Sequence, residues 1–220
     1  MDNNIDSAIG AILDAILAEE GRMAPKKRLV VEAAILCFAE HGYDATSTRM
    51  IADRAGVAEA TIFRHFNTKK ALLMRIVEPV VKRLLIPAVE EEAGVFREQA
   101  KGDYRAFIRA IFLSRLAFAD RYAPLIRIIL QEYLVNEDLR QMLNAYAGGV
   151  LAKVSQEAFG DFFASGEIKD FPTDRLLRWK LSLFAGYYIN RTILAPGDWD
   201  DEAEVDAMLD LIMYGIAKEK

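Results

Sequence analysis

The sequence predicts an all-α protein, on three observations. Apolar residues recur at spacings of three and four along nearly every segment, the signature of one helical face. Prolines number only 6 in 220 residues, and no segment alternates apolar and polar residues as a half-buried strand does. Hydrophobic residues make up 53% of the chain and charged residues 28%, enough apolar surface for a sizeable core and too much for a disordered chain. At this length the fold is one large domain, or a small domain fused to a larger one.

The elements follow in order. "IDSAIGAILDAILAEE" carries apolar residues at 5, 8, 9, 12, 13, 16 and 17, with Gly21 as its stop. Its polar face holds Asp6, Asp14, Glu19 and Glu20, where a membrane-surface helix shows Lys and Arg, so docking on protein is expected. After the linker "GRMAPKK" comes "RLVVEAAILCFAEHG", closed by His41 at the negative helix end and by Gly42 as a left-handed cap. Two short helices follow, around residues 48–55 and 59–67. A longer one starts near Lys69 and runs past Ile86, with kinks expected at Pro79 and Pro87.

The body continues with helices in "DYRAFIRAIFLSRLAFADRY", "APLIRIILQEYLV" and "NEDLRQMLNAYAGGVLAKVSQEAFGDFFASG". Asn136 is the expected N-cap of the third and Gly166 its end. Asp174 to Leu194 is apolar almost all round in its second half, and after Pro196-Gly197 a last helix spans Glu202 to Ala217. The coverage of these two exceeds what one neighbour can bury. Pairing them across a two-fold axis predicts a homodimer through a four-helix bundle, with Leu183, Tyr187, Met208, Leu209, Ile212 and Ile216 at the interface.

Charge is distributed unevenly. The net charge is −5, yet Pro25 to Arg75 holds nine Lys/Arg against five acids, a net of +4 that leaves −9 for the rest. A basic block on an acidic body is the asymmetry of a small nucleic-acid-binding domain joined to a larger one. The single cysteine, Cys37, excludes an internal disulfide framework and sits in an apolar run that reads as core. The opening "MDNNID" is acidic where an export signal is basic, and no apolar run approaches about 18 residues, so a cytoplasmic protein without membrane contact is expected.

The stretch "STRMIADRAGVAEATIFRHFNTKKALL" (47–73) explains the basic block. Ile51, Ala52 and Ala55 form an inner face, Gly56 supplies a sharp turn and Val57 plugs the angle. At about 100° per residue, Glu59, Ala60, Phe63, Arg64 and Asn67 fall on one side of the next helix. Ile62 and Phe66 fall on another and pack inward, with Thr61 and His65 on the flank between. Helix, Gly-containing turn and second helix is the helix-turn-helix pattern, whose second helix enters the major groove.

With "RLVVEAAILCFAEHGYD" ahead of it, this stretch resembles the N-terminal domain of the tetracycline-repressor (TetR) family of transcriptional regulators. Gly42, Thr46, Ile51-Ala52, Ala55-Gly56-Val57, Phe66 and Lys69 occur at the family's mutual spacing, over residues 28 to 75. Beyond Arg75 the likeness is architectural. The resemblance implies an N-terminal three-helix DNA-binding domain at 25–75 and a larger helical effector-binding and dimerisation domain at 76–220; residues 1–24, read as an extra N-terminal amphipathic helix, go beyond the family pattern. It puts Thr48 and Arg49 near phosphate and base edges, Glu59, Ala60, Phe63 and Arg64 on the groove side, and Thr61, His65 and Lys69 on phosphates.

Two positions depart from the pattern. Ala58 stands where many relatives carry Ser, which weakens the recognition-helix cap. Phe63 stands where many carry Tyr, leaving only apolar contact, for instance to a thymine methyl. Glu59 either accepts from cytosine N4 or simply favours the positive helix end.

Catalysis has little to stand on. With only His41 and His65, neither a metal cluster nor a Ser-His-Asp arrangement can be assembled, and no cofactor is expected. The family resemblance implies a palindromic double-stranded operator released by a small apolar effector, in a pocket for which Phe112, Phe118, Tyr146, Trp179, Phe184 and Tyr187 are candidates. The alternative is an architectural or occlusion factor of the same fold that needs no ligand.

Overall fold

The computed structural model describes the backbone of residues 2–169 and 171–216, and within these all side chains except those of 2–6, 20, 147, 151, 154, 155, 158, 215 and 216. In chain order the helices are α1 (Asp2–Glu20), α2 (Pro25–His41), α3 (Thr48–Ala55), α4 (Glu59–Phe66) and α5 (Lys69–Val80). A π-helical turn, Val81–Leu85, joins α5 to α6 (Ile86–Ala100). Then come α7 (Tyr104–Arg121), α8 (Ala123–Tyr133), α9 (Glu137–Ala164) and α10 (Thr173–Ile189). A second π turn, Asn190–Leu194, precedes α11 (Asp201–Ile216). Among the described residues there is no strand, and no helix is long and apolar enough to cross a membrane.

Local chemistry sets most of these boundaries. Pro25 occupies the first position of α2, where its missing N–H costs nothing. Gly21, Gly56 and Gly166 each follow a helix at positive φ (74°, 64° and 75°), a conformation that a Cβ disfavours. Gly42 also has positive φ (80°), but its ψ of 164° is extended, so it turns the chain out of α2 rather than curling it into a left-handed cap. Asn136 caps α9 by accepting from the Leu139 N–H at 3.2 Å. Between Pro79 and Pro87 the departure from α geometry takes the form of the π turn, in which the Ile86 N–H reaches back five residues to Val81.

The chain divides into two compact units, 1–87 with 119–147, and 88–118 with 148–220. In the first, Val31, Ile35 and Phe38 of α2 meet Ile51 of α3, Ile62 and Phe66 of α4, and Leu72 and Ile76 of α5 in one core. Leu125 and Ile128 of α8 close it from the side of α2. Cys37 is buried here, and desolvation raises its thiol pKa, so it stays protonated and inert. The stripe of α1 (Ala8, Ile9, Ile12, Leu13, Ala15 and Ile16) is buried against α5 and α2. Ile5, Asp6 and Glu20, placed by sequence on α1, have side chains outside the described residues.

The second unit is built on rings. Tyr104 and Phe107 of α7 pack on Phe162 of α9 with centroids 5.2 and 5.3 Å away. Val205 and Leu209 of α11 and Leu176 of α10 are buried in the same unit. Arg105 and Arg109 of α7 pair with Asp206, at 3.3 and 3.1 Å, fastening α11 by its acidic side. Arg115 pairs with Glu92 at 3.1 Å, so these three arginines are all spent on this chain's own carboxylates.

Candidate nucleic-acid interface

The geometry begins with two short helices crossing at Gly56. Ser47 caps α3 by accepting from the Met50 N–H at 3.1 Å, and the Gly56 N–H returns to the carbonyls of Ala52 and Asp53. Ala52 is buried, so α3 approaches its neighbours with no bulk in the way. No side chain caps α4 at Ala58, as its methyl group dictates. Instead Glu59 reaches across: the Thr48 hydroxyl donates to its carboxylate at 2.5 Å, tying the first turns of α3 and α4 together.

The exposed and buried faces of α4 divide cleanly. Ile62 and Phe66 are buried, while Ala60, Phe63 and Arg64 are open and Phe63 keeps 46% of its surface. An exposed aromatic beside a free guanidinium, on a helix of 8 residues, serves contact rather than core. Thr61, expected on the flank and on a phosphate, is instead buried, with only 9% of its surface exposed. His65 is half-buried, its ring 6.3 Å edge-on from Phe66.

Cations around this face differ in what they already hold. Arg49 is 82% exposed and only loosely paired with Asp53, at 4.0 Å. Arg64 has no ion pair among the described residues. Arg54, by contrast, holds both oxygens of Glu40 at 2.6 and 2.9 Å, which lowers the Glu40 pKa, and Lys70 pairs with Asp138. The guanidiniums of Arg49 and Arg64 are thus left facing solvent.

Lys69, expected on a phosphate, has its three N–H donors directed elsewhere. Its ammonium donates to the carbonyls of Tyr43 at 2.8 Å, Thr46 at 2.9 Å and Asp44 at 3.4 Å, and lies 4.2 Å from the Tyr43 ring centroid. Thr46 is fully buried in that loop, donating to the Gly42 carbonyl at 2.7 Å. The start of α5 and the α2–α3 loop are one hydrogen-bonded piece. Lys69→Met keeps the stem but strips these carbonyls, and a stability loss of about 1.5–3 kcal/mol is expected in urea unfolding. A lysine serving only phosphate would leave stability unchanged and lower the salt slope of DNA binding by about one.

The head has counterparts among known proteins. Residues 30–76, which span α3, α4 and most of α2 and α5, match the model of "Bacterial regulatory proteins, tetR family". This segment is similar to the helix-turn-helix domain of that family. It is 26% identical over 193 residues to a fatty acid metabolism regulator protein of Bacillus subtilis (strain 168), covering 87% of this chain and 96% of that protein. It is also 32% identical over 80 residues to an HTH-type transcriptional repressor of Mycobacterium tuberculosis, of which it spans 43%. Among solved structures, FadR of Bacillus subtilis in complex with stearoyl-CoA superposes with a TM-score of 0.61 at 24% identity, covering 85% of this chain and 97% of that one. At this identity the likeness is one of fold. The head is a helix-turn-helix, and the relatives that the chain matches are regulators of transcription by name.

The side chains expected to line a pocket are dispersed. Phe112 and Phe184 pack on each other as tilted rings with centroids 5.7 Å apart, and the Tyr187 hydroxyl donates to Asp201 at 2.5 Å. Phe118 is half-buried, and Tyr146, in the first unit, donates to Glu78 at 2.9 Å. Trp179 is 46% exposed and borders a cleft of about 470 Å³ in the second unit, with Tyr104, Phe171, Lys180, Leu183 and Ile212. Composition gave no sign of Lys180, which stands in "RLLRWKLSLF" like any lysine on a helix surface.

The residues expected at a dimer interface divide as well. Leu209, Ile212 and Tyr187 are buried within the protomer, and Leu183 and Met208 are half-buried. The side chain of Ile216 lies outside the described residues, as does Ala217. The face of α11 left open holds Ala203, Ala207, Leu211 and Tyr214, the last two exposed to 63% and 90%. Leu181 and Ala185 are open on α10.

Proposed function

We propose that the protein is a homodimeric, ligand-responsive repressor of the cytoplasm that occupies a palindromic operator and is released by a small molecule. The observation that carries it is the outer face of α4, where Ala60, Phe63 and Arg64 are exposed beside Arg49 while the opposite face is buried. Arg64 and Arg49 are donors for guanine edges or phosphates, and Phe63 offers apolar contact to a thymine methyl. Glu59, already accepting from Thr48, keeps a second oxygen for cytosine N4. Thr48 and His65 flank that face and take the backbone-positioning role, which Thr61, being buried, cannot share. Two-fold symmetry then sets the recognition helices about 34–36 Å apart, one turn of DNA.

The domains follow the same division of labour: 25–75 reads DNA, 76–220 binds effector and partner, and residues 1–24 brace the head. An apolar effector shifts the equilibrium only by binding one state better than the other. The cleft beside Trp179 favours this reading over a ligand-independent occlusion factor, whose body has no need of an opening. Nothing in the arrangement asks for chemistry, and the protein acts by binding alone.

Selection of bound sequences from random duplex DNA tests the proposal. A palindrome with half-sites about ten base pairs apart is the expected outcome, and its absence would sink the repressor reading. Arg64→Ala and Arg49→Ala are each expected to relax the preference at one position per half-site, at a cost of about 1–3 kcal/mol. Uniform weakening on every sequence would move both residues to the phosphates.

A further inference from the structure

The cleft in the second unit contains two polar groups with nothing to bind. Lys180 is 9% exposed, and among the described residues its ammonium has neither a hydrogen-bond acceptor nor a carboxylate. Its surroundings are rings: Phe159 with its centroid 3.3 Å away and Tyr104 at 5.8 Å. The Tyr104 side chain is fully buried and its hydroxyl is likewise unpartnered. Burial lowers the Lys180 pKa well below the usual range for an amine, and no neighbouring charge opposes the shift.

An aromatic face relieves only part of the cost of such a cation. Buried polar groups in native proteins have partners, and a lysine nine-tenths buried at an opening without one points to a missing acceptor. Around them the walls are apolar, with Phe171, Leu176, Leu183 and Ile212, and Trp179 and Leu211 stand at the exposed rim. The volume of about 470 Å³ is that of a small-molecule site.

We infer that this cleft binds a small apolar molecule carrying one carboxylate, its head placed between the Lys180 ammonium and the Tyr104 hydroxyl and its stem along Leu183 and Trp179. A carboxylate supplies the acceptor that Lys180 lacks, and an alkyl or aryl stem covers the walls. A second copy of the chain is a poorer occupant. The open faces of α10 and α11 beside the cleft carry Leu181, Ala185, Ala203, Ala207, Leu211 and Tyr214, so the matching faces of a second copy bring apolar groups to it. The inference gives the repressor proposed above its effector class, and rests on that reading for its regulatory consequence.

Calorimetry on the full-length protein with straight-chain monocarboxylates of eight to sixteen carbons, and with alcohols of equal length, tests it. Carboxylates should bind, and Lys180→Met should weaken them roughly ten- to a hundredfold while leaving the alcohols unchanged. Tyr104→Phe, which leaves the packing in place, should weaken the carboxylates a few-fold and serves if Lys180→Met fails to fold. Two results overturn the site: no carboxylate binds the wild-type chain, or Lys180→Met binds them as tightly. A third is a Lys180→Met protein that becomes monomeric while no carboxylate binds, which assigns the amine to the partner subunit. Binding that needs Lys180 but does not release operator DNA supports the site and removes the effector role. Release by some other molecule, undiminished in Lys180→Met and with no carboxylate bound, overturns the site and keeps the ligand-responsive reading.

Discussion

Deleting residues 1–20 is expected to leave a chain that aggregates or unfolds without a cooperative transition. Ile9, Ile12, Leu13 and Ile16 of α1 are buried, and each contributes about 1.5–3 kcal/mol on burial. Together that is about 6–12 kcal/mol as an upper bound, comparable to the whole stability of a typical domain. The deletion also bares the surface of α5 and α2 that α1 covers. Leu13→Ala, a milder change, should lower stability by about 2–5 kcal/mol and leave a folded regulator. Thermal melts of both variants check this. A truncated chain that melts like the full one and differs only in its ligand response would make α1 a regulatory arm instead of a structural part.

Charge on the open face of α11 should have the second large effect. Leu211→Asp combined with Tyr214→Asp places two carboxylates where the dimer seam is proposed, at positions exposed to 63% and 90% in the protomer. Each subunit should fold normally, and sedimentation should show monomers. Operator binding is then expected to fall by about a hundredfold or more, because two linked half-site contacts become independent ones. Ile212→Asp is a poorer probe. Ile212 is only 7% exposed, so a charge there damages the protomer before it damages an interface. If the double variant sediments as a dimer, the seam lies elsewhere.

These two expectations mark what the sequence held and what it did not. Helix positions were legible because they rest on local rules: Gly21 and Gly56 at positive φ, Asn136 accepting from Leu139, and Ala58 unable to cap. The division of α4 into faces follows from 100° per residue alone, and the exposures of Ala60, Phe63 and Arg64 agree with it. The orientation of α11 was harder. Periodicity picks out an apolar seam through Val205, Leu209 and Ile212, but cannot say whether the protomer or a partner buries it. Leu211 and Tyr214 add a second seam that only tertiary packing tells apart from the first.

The remaining gaps are non-local. A π turn inserts one residue into a helix and leaves the spacing of apolar residues nearly untouched, so Val81–Leu85 and Asn190–Leu194 have no sequence signature. Lys69 reads as a basic residue at a helix start, and its three carbonyl partners lie 23 to 26 positions earlier in the chain. Lys180 is buried by Phe159 and Tyr104, from two other helices, and nothing in its neighbours along the chain announces that.

The Lys69 tie has a thermodynamic consequence for recognition. With one ammonium clamping the loop at 43–46, and Thr48 locked to Glu59, the torsions that set the angle between α3 and α4 are frozen before any DNA arrives. Docking therefore costs rigid-body freedom and the ordering of a few outward side chains, Arg49 and Arg64 first, with no backbone left to arrange. Association should be fast and set by electrostatic approach. Its heat-capacity change should match the surface buried by a rigid head, without the excess that accompanies folding on binding.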